Sequence, residues 1–212
     1  MIIAIDGPSA SGKGTLAKRL AAHLSFAHLD TGKIYRAVGY EIIRQGSDLK
    51  DERAALSIAH ALDPTTLFDC DLSGDEAAFA ASKVAQMNEV RNALLLFQRH
   101  FAENPPGGEV GAVLDGRDIG TVVCPDAEVK LYLVASVEVR AERRHKELLE
   151  RGEASIYSRV LQDMVDRDDR DSNRSVAPLK PAEDAFILDT SGLNADKTFA
   201  AALAEVEKCG RR

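Results

Sequence analysis

Cysteine is too scarce and too scattered in this chain to staple it. Cys70, Cys124 and Cys209 are odd in number and form no C-x-x-C, so buried or incidental thiols are expected rather than disulfides or zinc ligands. His23, His28, His60, His100 and His145 form no H-x-x-x-H pair, and a structural transition-metal site is not expected. Positive charge is in deficit: 27 Lys and Arg against 34 Asp and Glu leave a formal charge of −7, which gives no net attraction to nucleic acid or to acidic membranes. Any polyanion must therefore be met by a local basic site. No apolar run approaches the ~18 residues of a membrane span. The opening run Met1 to Asp6 lacks a basic leader and is shorter than the roughly 7–15 apolar residues of a signal peptide, so the cytoplasm is the expected compartment. Internal repeats and low-complexity tracts are absent as well.

What is present is the composition of a globular protein, with 45% hydrophobic and 29% charged residues. A chain of 212 residues is expected to form one domain, residues 1–212, burying roughly 70% of its unfolded surface without covalent staples.

The apolar run at residues 2–5 ends at Asp6-Gly7, and from Lys13 the positions Leu16, Leu20 and Leu24 share one helical face. That is strand, glycine loop and helix. Val110 to Leu114, Val129 to Ala135 and Ala185 to Leu188 read as further buried strands, each next to a charged helical pattern. The expected fold is α/β, a parallel sheet with helices on both faces. Residues 46–82, rich in Asp and Ala and broken at Asp63-Pro64 and Ser73-Gly74, suggest an inserted lobe. Residues 137–174 are helical and heavily charged, with a break at Arg151-Gly152.

Gly7-Pro8-Ser9-Ala10-Ser11-Gly12-Lys13-Gly14-Thr15 fits G-x-x-x-x-G-K between a strand and a helix start. Inward-pointing amides, the positive end of the helix dipole and the Lys13 ammonium make a nest for the β- and γ-phosphates of a nucleotide. Gly14 stands where the general motif has a hydroxyl that binds magnesium, so Mg2+ is expected to be held mainly by phosphate oxygens and water, with no dedicated protein ligands and Thr15 touching an inner phosphate. There is no N-K-x-D for guanine, and Asp189-Thr190-Ser191-Gly192 reads as a strand-end turn.

A phosphoryl transfer between two anions needs cations placed around both, and arginine's planar fork suits phosphate. Arg36 follows Leu29-Asp30-Thr31-Gly32 at the start of a helix whose N-terminus could hold a second phosphate. Arg117 lies in Asp115-Gly116-Arg117-Asp118 at a strand's carboxyl end, where ligands of open α/β sheets bind. Arg167, Arg170 and Arg174, at helical spacing, are expected on one face; a self-neutralising ion-pair helix would carry the same pattern. A phosphate loop alone leaves open another small kinase, or a module that binds a nucleotide without turning it over.

The chain resembles bacterial cytidylate kinases. The motifs that carry the likeness are Gly7 to Thr15, Leu29 to Gly32 with Ile34-Tyr35-Arg36, Ala80-Ala81-Ser82 leading to Val90-Arg91, Asp115 to Val123, and Arg167 to Arg174 followed by Val176-Ala177-Pro178-Leu179. The resemblance implies a P-loop kinase fold with a core at 1–45 and 91–212, a short monophosphate-binding insert at about 46–90 and a helical lid at about 145–157. It implies transfer of the γ-phosphoryl group of ATP to CMP or dCMP with Mg2+, by a monomer without nucleic-acid or membrane partners. It assigns Thr31, Arg36 and Arg117 to the acceptor phosphate, and Ser82, Arg91 and Asp118 to cytosine. Arg167, Asp171 and Arg174 fall to the sugar and phosphate region, and Lys13, Arg117, Arg167 and Arg170 to catalysis. The chain departs from the family between residues 63 and 80, where members often carry a longer β-rich insert, and Thr31 stands where Ser is common.

Overall fold

A computed structural model of the chain describes residues 1–62, 72 and 75–210. Cys70 and most of the Asp63 to Gly74 stretch lie outside the described residues. Five parallel strands make the sheet: β1 (Ile2–Asp6), β2 (Ala27–Asp30), β3 (Ala112–Gly116), β4 (Val129–Val134) and β5 (Phe186–Asp189), in the order β2-β3-β1-β4-β5. Asp6 pairs with Gly116 on one side and Tyr132 on the other. The carboxyl ends of β1, β2 and β3 therefore lie level, and the loops leaving them share one edge.

Helices α1 (Lys13–Leu24) and α8 (Ala195–Gly210) cover one face; α2 (Thr31–Arg44), α3 (Glu52–Ala61), α4 (Asp75–Val84) and α5 (Asn88–Glu103) gather on the other. Alternation along each strand divides the core accordingly. Ile3, Ile5, Val113, Leu131 and Leu133 pack with Leu16, Leu20 and Val206. Ala4, Leu29, Ala112 and Leu114 pack with Ile34, Val38, Val90 and Leu94. Apolar burial on both faces is the reason these strands read as unbroken hydrophobic runs. The pair α6 (Val137–Glu150) and α7 (Tyr157–Asn173) stands apart, with Ala141, Leu148, Val160 and Met164 in a small core of its own.

The strand expected at Val110–Leu114 begins and ends two residues later, and Val110 is 81% exposed. The ladder to β1 begins at Ile2, opposite Ala112, and before it the Val110 carbonyl only accepts from the Met1 ammonium at 3.3 Å. Among the described residues no helix is long and apolar enough to cross a membrane.

Candidate active site

Helix α1 starts without the usual side-chain cap. Its N-cap residue is Gly12, in the left-handed region at φ 92°, and no side chain accepts from the first amides. Those orphan donors face the mouth of the phosphate loop, where an anion can complete them. Gly7 lies against the Leu133 carbonyl of β4, in space that a Cβ would fill. Lys13 Nζ donates to the Pro8 carbonyl oxygen at 3.2 Å. Burial pushes the Lys13 ammonium down to about 7, and Arg117 adds to the repulsion.

A cleft of ≈ 260 Å³ opens from this loop across the ends of β2 and β3. Ser9, Ala10, Lys13 and Gly14 line its near end, while Ser11, Gly12 and Thr15 face a separate hollow beside Arg143, Thr190 and Asn194. The remaining wall brings together Thr31, Arg36, Ser82, Arg91, Arg117, Asp118, Arg167, Asp171 and Arg174. Every residue expected to meet the acceptor thus lines one cavity, although these side chains come from α2, α4, α5, α7 and the residue that follows it, and the loop after β3.

The cleft is organised by paired charges. Asp118 sits between Arg91, with which it makes a short buried ion pair, and Arg174 at 3.4 Å. Asp171 accepts from Arg117 Nε at 2.9 Å and lies 3.9 Å from Arg167. Burial works against its charge, yet Arg117 and Arg167 hold the Asp171 carboxyl below the usual range. Arg167 is pushed down to about 10 by burial, with Arg117 and Arg36 adding to it, and its Nε is buried without a hydrogen-bond partner. Burial likewise lowers Arg36 and Arg174. Cations crowded this closely and stripped of water are destabilised until an anion arrives.

Two placements differ from the spacing argument. Arg170 lies outside this cleft, in a neighbouring hollow, where its Nε donates to Ser82 Oγ at 3.4 Å and its guanidinium stands 5.7 Å from the Phe79 ring. A spacing of three residues turns Arg170 about 60° away from Arg167, enough to move it round the helix. The N-terminus of α2 is already capped, because Asp30 accepts from the Lys33 amide at 3.2 Å. Thr31 reaches the cleft by its hydroxyl, which donates to the Asp115 carbonyl at 2.8 Å.

Sequence reasoning also passed over Arg144, Glu147 and Arg151, which line the cleft from α6 and the bend after it. The sequence signal was there, since 144, 147 and 151 follow helical spacing, but it is that of any charged helix face. Asp115, which carries no signal in the sequence beyond its motif, meets His28 Nε2 with its Oδ1 at 2.8 Å.

A parallel sheet carrying a phosphate loop at one strand end, with a second cation-lined wall opposite, defines a P-loop phosphotransferase. The cytidylate kinase family profile matches residues 3–208. The chain is 64% identical to the cytidylate kinase of Paramagnetospirillum magneticum over 95% of both chains. It is 61% identical to that of Rhodospirillum rubrum, over 96% of this chain and 95% of the other. Among solved structures, a gluconokinase from Sinorhizobium meliloti superposes with a TM-score of 0.52 at 15% identity, covering 98% of this chain and 91% of that one. That likeness concerns the fold. The chain belongs to the cytidylate kinase family.

Proposed function

We propose that this enzyme transfers the γ-phosphoryl group of ATP to CMP or dCMP, releasing ADP and CDP or dCDP. The observation that carries the reading is one continuous cleft with two different ends. A bare helix start with Lys13 lies at one, and the Arg91–Asp118–Arg174 group lies at the other.

At the first end, the loop amides and Lys13 bind the outer phosphates of ATP. Between the ends, Arg117, Arg167 and Arg36 surround the space where two sets of phosphates meet, and the Arg167 Nε, which makes no hydrogen bond, supplies a donor for charge that develops during transfer. Arg170 acts one step back, through Ser82. No general base is required, because a monophosphate with a second pKa near 6 is already largely a dianion at neutral pH.

At the far end, cytosine offers an N4 amine donor and the N3 and O2 acceptors. An Asp118 carboxylate facing N4, with Arg91 and Ser82 donating to the acceptors, complements that edge. In uracil the donor becomes an acceptor and would face Asp118, and an unmatched buried polar group is strongly rejected. Asp171 and Arg174 lie where the sugar would pass.

Mg2+ fits the site as a visitor carried by the nucleotide. No cluster of three or more His, Cys, Asp or Glu side chains that could hold a metal occurs among the described residues, but Asp30 and Asp115 line the cleft near Gly14 with hard oxygens within reach of metal-bound water. When bound, the ion would neutralise charge on the transferring phosphates. We read residues 46–90 as the insert that carries Ser82 and residues 145–157 as the lid. His145 Nδ1 meets Ser155 Oγ at 2.8 Å across that bend, a bond that supports its moving as one unit. Dependence on ATP is in keeping with a cytoplasmic enzyme.

A coupled assay of ADP release across CMP, dCMP, UMP, AMP and shikimate tests the proposal. CMP and dCMP should exceed the rest by kcat/KM. An advantage for AMP or shikimate would overturn the base assignment.

A further inference from the structure

Asp6 is the last residue of β1, 4% exposed, and its carboxylate does not line the nucleotide cleft. Each of its oxygens takes one backbone amide, Oδ1 from Ile119 and Oδ2 from Gly120, both at 2.8 Å and across more than a hundred residues of chain. Those amides open a wide helical turn, Ile119–Val123, whose bonds reach from Val123 to the Asp118 carbonyl at 3.1 Å and from Cys124 to the Ile119 carbonyl at 2.7 Å. A helical turn leaves its first amides without partners, and an aspartate in the N-cap position ordinarily folds its own carboxylate back onto them. The N-cap residue of this turn is Asp118, and it makes no such bond. Its carboxylate points the other way, to Arg91 and Arg174.

We propose that Asp6 caps this turn in trans and thereby releases Asp118 to face the acceptor base. Asp6 is thus a positioning residue: it acts through Asp118 and ties the base-reading wall to the strand from which the phosphate loop springs. The inference rests on the cytidylate reading above for what Asp118 recognises. Burial raises the Asp6 carboxyl to about 7, the Gly120 and Ile119 amides pull against that rise, and the charges of Asp118 and Arg117 act more weakly and in opposite directions.

The test is a double-mutant cycle on Asp6→Asn and Asp118→Asn, read as KM and kcat for CMP, UMP and ATP. Asp6→Asn puts an amide NH2 against one of the two N–H donors, so the turn should recruit Asp118 as its cap. Expected is a rise of about 10-fold or more in KM for CMP and a narrowed CMP/UMP preference, with KM for ATP within about 2-fold. Asp118→Asn alone should give a similar loss, and the double variant little more than either single, since both act through one carboxylate. Losses that multiply, or a loss in KM for ATP as large as that for CMP, would overturn the inference. A wild-type enzyme that prefers another acceptor would instead overturn the cytidylate reading.

If Asp6→Asn does not fold, hydrogen exchange decides. The Ile119 and Gly120 amides should keep their protection in Asp118→Asn, because Asp118 does not cap them. Loss of that protection would show that Asp118 is the cap and that the inference is wrong.

Discussion

Lys13 is a partly buried ammonium whose hydrogen bond, among the described residues, goes to a carbonyl, Pro8 O. Burial, with Arg117 next, sets its pKa at about 7 in the free enzyme. Phosphates placed beside it favour the charged form and raise that value. ATP binding at pH 8 should therefore take up protons, up to about one per site by this group, and ATP affinity should fall as pH climbs above 7. Calorimetry in buffers of different ionisation enthalpy measures the uptake; Lys13→Met should abolish it and cut kcat by at least about 100-fold. The lysine's role was legible from spacing, because a loop motif is local. Asp6 was not, since its partners lie more than a hundred residues further along the chain and an aspartate before a glycine looks like any turn residue.

The acceptor side depends on how α2 and α4 pack. A Cβ added at Gly39 of α2 would come within 2.6 Å of Ala80 Cβ and 3.0 Å of the Ala80 carbonyl carbon, so Gly39 lets the helices approach. Ser82 lies two residues beyond Ala80 on α4. Gly39→Ala should push α4 outward, costing roughly 1–3 kcal/mol in thermal or denaturant unfolding and raising KM for CMP while sparing KM for ATP. Equal changes in both constants would mean that the displacement spreads to the phosphate loop. At this scale the sequence was readable where apolar residues run together: β1 and β4, buried on both sides, were expected within a residue or two, and so was β5, whose Phe186-Ile187-Leu188 run is apolar although only Leu188 of it is buried. The strand β2, Ala27–Asp30, escaped notice because its four residues include His28 and Asp30, only partly buried, and show no apolar run. The wide turn at Ile119–Val123 has no pattern of its own, since its start is held by Asp6.

Across the whole molecule, the cleft is walled by segments that share little local packing. Ala81 and Ser82 come from one side, Arg144, Glu147 and Arg151 from another, and Lys13 from the sheet edge between them. Bringing these walls together over two nucleotides would exclude water, which otherwise competes as acceptor. Small-angle scattering should show a smaller radius of gyration with a bisubstrate analogue than with either nucleotide alone, and ATP hydrolysis without CMP should be slow. A radius unchanged by the analogue would argue for a preformed cleft. The uncapped start of α1 has its own consequence at this scale. The enzyme leaves the first turn of its central helix to be finished by what it binds, so nucleotide is in effect a missing structural part. The loaded protein, rather than the empty one, is the complete fold.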